Sequence, residues 1–324
     1  MKKYLFFAAA LFTLAACNND DNLPVDDPTA PVEIRLSSGI QVQTRAAHNN
    51  LDTRLAANEE VHVWVDDAGT SEELYANDIL TVGDDQTTLS GGNSMYFPST
   101  GNAVNIYAIH GDFEPNADWS NFWSTSIIHR VATDQQSGEG NTGYAVSDLV
   151  YCKSENVSRK SNPTTVNLQF KHLLSKIEVV LVQGNGAPGI SKVEILNTQL
   201  EARFTPSKTA DWAVSATGEV TDNNPILIDN GLTSDADAKG TDETKKVLNE
   251  AIIVPQTLND KTQFIRITTD KEGVLVYALD KNTEFKAGMK YRYTITANLT
   301  ELTVTATIDD WGQTEDKTGD AVMQ

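Results

Sequence analysis

Strict alternation of side-chain character narrows the folds open to this chain. In the run Leu302, Thr303, Val304, Thr305, Ala306, Thr307, Ile308, Asp309, every second residue is apolar and the others are Thr or Asp. Met289, Tyr291, Tyr293, Ile295 and Ala297 alternate in the same way with Lys290, Arg292, Thr294, Thr296 and Asn298. Successive side chains of a strand point to opposite faces, so this period sets one face on a core and the other outward. Similar patterning recurs in VEIRL, IQV, VHVWV, VNIYAIHG, VNLQFKHLLSKIEVVLV, KVEILNTQL, QFIRITT and GVLVYAL. GGNS, PSTGN, GNGAPG, DNNP and KAGMK punctuate these runs as turns. No long helical period competes with them; SEELYANDIL and DETKKVLNEA each read as a short helix or an irregular loop. Many short strands with frequent turns specify an all-β fold of sandwiches. The polar stretch KSENVSRKSNPTT, residues 153 to 165, fits a domain boundary. The expectation is two β-sandwich domains in tandem, 46–160 and 161–324.

The start of the chain carries a different signal. Lys2 and Lys3 precede an apolar run from Tyr4 to Ala16 that is too short to span a bilayer and fits a signal-peptide core. Leu14, Ala15, Ala16 and Cys17 resemble the bacterial lipoprotein box, in which the cysteine is acylated and becomes the new N-terminus. Residues 1–16 are therefore expected as a lipoprotein signal peptide and 17–45 as a lipidated leader. Several acyl chains, at about 0.8 kcal/mol per buried CH₂, would hold it firmly in a membrane. The segment CNNDDNLPVDDPTAP is polar, acidic and Pro-containing, and reads as a flexible tether. The only other cysteine is Cys152, so no disulfide can form within the mature chain. A formal net charge of −20 makes nucleic acid a poor partner, because phosphates need Lys and Arg to neutralise them.

Motifs that suggest chemistry lack the context it requires. GNGAPG matches the glycine pattern of a dinucleotide site, but a β-patterned run follows it where a helix is needed to hold the pyrophosphate. SDADAKGTDE aligns Asp235, Asp237 and Gly240 with a calcium loop, yet Lys239 and Lys246 occupy ligand positions. The five histidines stand in no zinc spacing, and no G-x-S-x-G elbow occurs. No catalytic residue, metal or cofactor is expected. Trp119, Phe122 and Trp123 lie together in a Phe/Trp-rich segment. Exposed, they would form a binding patch for glycan or protein; buried, they would anchor a loop or cap a core.

Several of these elements coincide. After the lipoprotein box, an alternating strand ends in QTRA; then come LQFKHLLSKIEVVL, AIIVPQTL and FKAGMKYRYTITANLTELTVTATIDDWG. Together they resemble the fimbrillin family of Gram-negative anaerobes, the shaft and accessory subunits of type V pili. That resemblance implies transthyretin-like sandwiches, export as an outer-membrane lipoprotein on Cys17, and cleavage by a trypsin-like surface protease. On the family pattern the cut falls between Arg45 and Ala46, with Arg54 a second plausible cut nearby. It frees a strand carrying Val32, Ile34, Leu36, Ile40 and Val42, and a strand from another pilus subunit then fills the groove. Burial of those five side chains is worth an upper bound of about 8–15 kcal/mol. The tail after Ile308 has no alternating apolar run to donate, which favours a tip or accessory position. The alternative is a surface lipoprotein that stays anchored and binds glycan or host protein.

Overall fold

The computed structural model describes residues 31–40, 54–113, 117–136, 142–159, 165–183, 189–220, 225–229, 247–270, 273–297 and 302–311. Cys17, Val42, Arg45 and Ala46 lie outside the described residues, as does the acidic stretch around Asp235. The first strands are β1 (Leu36–Ile40), β2 (Glu60–Asp67), β3 (Glu73–Val82), β4 (Thr88–Ser90), β5 (Val104–His110), β6 (Ile127–Arg130), β7 (Val150–Val157) and β8 (Val166–His172). There follow β9 (Ser175–Gln183), β10 (Ile190–Ile195), β11 (Gln199–Thr205), β12 (Ala213–Val220), β13 (Ile226–Asp229) and β14 (Val247–Ile253). The last are β15 (Gln256–Leu258), β16 (Gln263–Thr269), β17 (Val274–Ala278), β18 (Thr283–Phe285), β19 (Met289–Ala297) and β20 (Leu302–Asp310). Among the described residues, helix is confined to a 3₁₀ segment, Trp119–Ser124, and one short helix, α1 (Gly143–Ser147). SEELYANDIL, open from sequence between helix and loop, forms most of β3; Asn77, at φ 49°, interrupts its alternation.

Seven strands of the first half pair in the order β1-β4-β3-β2-β5-β7-β8, and β8 pairs back onto β1. The sheet is thus hydrogen-bonded all the way round. Inside it Val61, Val63, Val65, Ile106, Ala108, Val150, Leu168 and Phe170 pack with Leu36. Residues of the opposite parity on β2, β5 and β7 (Trp64, Tyr107, Ile109 and Tyr151) face outward, yet they too are buried. They belong to the core of the second half, which packs on the outside of the ring.

That second half stacks a sheet ordered β14-β9-β19-β20 with one ordered β13-β10-β16-β17. The β19–β20 register follows the sequence pattern: Tyr291 faces Ile308, Tyr293 faces Ala306 and Ile295 faces Val304. The polar stretch expected as a boundary leads from β7 into β8, and both strands belong to the ring. The chain passes to the second half through Leu173 and Leu174, which join β8 to β9. In return, β6 pairs with β11 of the second half.

Candidate functional site

The candidate site is the slot that β1 occupies. Val32 and Ile34 run beside Met95 and Phe97: the Ile34 amide donates to the Met95 carbonyl at 2.8 Å, and the Phe97 amide to that of Val32 at 2.9 Å. Next, Leu36–Ile40 pairs in parallel with Val166–Phe170 of β8, while Leu36 and Ser37 pair antiparallel with Leu89 and Thr88 of β4. One face points into the ring: Ile34, Leu36 and Ile40 are 4%, 3% and 7% exposed, and Val32 is half-buried. Burial of the three aliphatics is worth about 5–9 kcal/mol as an upper bound. Between Leu36 and Ile40 the inward position is held by Ser38, whose amide donates to the Thr87 carbonyl at 2.7 Å. Ser38 was not among the expected slot residues, although it shares their parity; its polarity masks an inward position.

The aromatic segment serves another purpose than an open platform. Phe122 is 1% exposed and stacks on Trp64 at 3.9 Å, so it cannot contribute to a surface patch. Trp119, half-buried, stacks on His62 at 3.8 Å. Trp123, also half-buried, packs edge-on against Trp64 and Tyr107 of the ring and against Trp212 of the second half. Its indole N–H donates to Glu73 at 3.2 Å. Lys208, from the β11–β12 turn, lies 4.8 Å above the Trp123 ring and bonds both oxygens of Asp66 at 2.7 and 2.9 Å. Burial pushes the Asp66 carboxyl up, and Lys208 pulls against that shift. The segment is therefore wedged between the halves.

Burial also holds His62 below its ordinary pKa, against the bond from its Nδ1 to Asn77. The folded state favours the neutral ring, so the unfolded chain binds a proton first as the pH falls through about 6.5. Stability is expected to decline below that pH as far as the depressed folded pKa, and the decline to be shallower in His62→Phe. Chemical denaturation of both proteins between pH 7.5 and 5 measures the difference.

Two further clusters went unread in the sequence. On β9 the alternation marks Lys176 and Glu178 as outward, yet they are 0% and 1% exposed. Lys176 bonds Glu250 at 2.5 Å, while Glu178 receives Arg292 at 2.6 Å and has Lys290 at 3.5 Å. Gln135 and α1 reach this sheet: Gln135 bonds both backbone groups of Ile252, and Tyr144 of α1 lies 5.9 Å from Lys176 Nζ. At the end of β8, His172 bonds Asp148 at 2.9 Å and stacks on Trp311 at 3.7 Å. Cys152 is buried in the ring and burial pushes its thiol pKa up, which suits a packing role. Among the described residues no group of three His, Cys, Asp or Glu is placed to hold a metal ion.

A fimbrillin-like family model matches residues 44–311. A model of the prokaryotic membrane lipoprotein lipid attachment site matches residues 1–18. No curated protein matches the chain. Among solved structures, it is similar to a candidate cell adhesion protein from Bacteroides uniformis, with 18% identity and a TM-score of 0.59, over 87% of this chain and 98% of that one. A second candidate cell adhesion protein, from Bacteroides ovatus, matches with 16% identity and a TM-score of 0.62, over 88% and 100%.

Proposed function

The chain belongs to the fimbrillin-like family, and from that membership we propose that it is a non-catalytic subunit of a cell-surface pilus, exported as a lipoprotein on Cys17. Cleavage between Arg45 and Ala46 by a trypsin-like surface protease then removes the leader together with β1. A strand from another subunit takes its place, and this chain sits at a tip or accessory position.

The observation that carries this reading is the place of β1 in the ring. Among the described strands it alone joins β4 to β8, and Arg45 follows it by five residues. Its loss leaves unpaired backbone on two strand edges and an apolar groove between them. Such an edge recruits another strand, which restores hydrogen bonds and burial together.

The test is the N-terminus and lipid content of the protein taken from its native cell surface, beside Arg45→Ala. The expected result is an N-terminus at Ala46 and high-mass ladders that disappear in the variant. Acylated Cys17 as the sole N-terminus, without ladders, would overturn the proposal and leave an anchored binding lipoprotein.

A further inference from the structure

The slot holds more than β1 puts into it. A cavity of about 530 Å³ opens along the seam of this strand, over Leu36, Leu80, Leu89 and Met95, with Ser90 and Asn93 on its rim. Its cause is a mismatch in pairing. Ile34 bonds to Met95 and Leu36 pairs with Leu89, so residues 90–94 stand opposite Arg35 alone. The surplus loop bows away from the seam. Gly91 and Gly92 take φ of 92° and 67° there, and Asp78 braces the bow by accepting from the Asn93 amide and side chain, each at 3.0 Å. A Cβ on Gly92 would meet the Asp78 carboxylate at 2.8 Å. The opening is thus held by the fold.

Two residues along, the strand runs clear of the cavity. Ser38 is 4% exposed and does not line the cavity. The inward positions therefore differ in their surroundings: Leu36 borders a cavity lined by apolar and polar groups, and Ser38 is buried away from it.

We propose that this unequal filling selects the strand that replaces β1, as a partner-subunit strand with a side chain larger than leucine at the Leu36 position and a small residue at the Ser38 position. The inference rests on strand replacement as proposed above. The occupant is a strand because the slot offers backbone partners along both sides, from β8 and from β4 with Met95 and Phe97. A residue that fills the cavity adds apolar contact that β1 lacks. A large residue at the Ser38 position is penalised by overpacking. A slip of two residues moves a large side chain onto that position, so the small residue also fixes register. Exchange then runs from β1 towards the better-filling strand with no outside energy source.

Two measurements test this. In the uncut full-length protein, Leu36→Phe is expected to raise the melting temperature by several degrees and Ser38→Leu to lower it. A lower value for Leu36→Phe overturns the inference, whatever else is found. In the protein cut after Arg45, labelled peptides spanning residues 31–43 are added. The Leu36→Phe peptide is expected to bind at least tenfold more tightly than the native one, and the Ser38→Leu peptide at least tenfold more weakly. Equal binding of all three overturns the selection rule while leaving strand replacement intact. Failure of every peptide to bind, with the melting shifts as expected, overturns strand replacement instead and with it the partner assigned here.

Discussion

Leu36→Asp is expected to open the strand ring. Leu36 lies at 3% exposure on its inner face, between β4 and β8. Losing the leucine's burial costs about 1.5–3 kcal/mol, and a carboxylate set there without a partner costs several more. A total of about 5 kcal/mol or more is a large fraction of the roughly 5–15 kcal/mol that holds a native domain folded. Each kcal/mol moves the midpoint of a domain of this size by about 2–4 °C, so calorimetry of the uncut chain should show the first transition falling by about 10–20 °C. Arg35→Asp is the control. Its side chain is exposed and its pair with Glu33 is a surface contact, worth about 1 kcal/mol at most. A Leu36→Asp protein that melts like the parent would mean that β1 does not hold the ring together, and the slot would lose its importance.

The second large effect belongs to Glu178→Gln. This carboxylate, 1% exposed, faces Arg292 at 2.6 Å, Lys290 at 3.5 Å and Lys176 at 3.8 Å. Removing its charge leaves three cations with Glu250 as the anion bonded to Lys176. Breaking a buried pair from one side costs about 3–5 kcal/mol, because the charges left behind remain desolvated. Chemical denaturation should register that loss with an unchanged denaturant slope. Removing charge from both sides, as in Glu178→Leu with Lys290→Met, is expected to recover much of it, since buried pairs are often replaceable by apolar groups of similar size. If Glu178→Gln alone costs less than about 1 kcal/mol, water must reach the cluster and the face is not sealed.

The two clusters mark the line between what was legible in the sequence and what was not. Alternation in β19 and β20 carried its message because one face meets the core and the other does not; even the register of Tyr291 on Ile308 follows. Alternation in β9 marks Lys176 and Glu178 as outward before giving way to the continuous apolar run Val179 to Val182, and that face is buried. What closes over it includes Gln135 and Tyr144, a contact distant in sequence that no local pattern reveals. SEELYANDIL hid a strand because Asn77 breaks the period where β2 and β3 shift register between Val63 and Val65. In the candidate site, Ile34, Leu36 and Ile40 were readable as one buried face. Ser38 was passed over because a polar residue in phase looks like an interruption. The aromatic segment was readable as important, but its role depended on Lys208 and Trp212, which come from the other half.

The junction between β8 and β9 has a mechanical consequence. Only Leu173 and Leu174 separate a strand that borders the slot from one that lies between β14 and β19 in the second half. Tension applied along β8 passes into the interior of that sheet with no slack to take up first. A strand seated beside β8 would be pulled along its own length, so its hydrogen bonds would share the load in shear instead of yielding one after another. With Trp123 and Lys208 wedged across the seam, the two halves would move under traction as one strut, and not as two beads on a string.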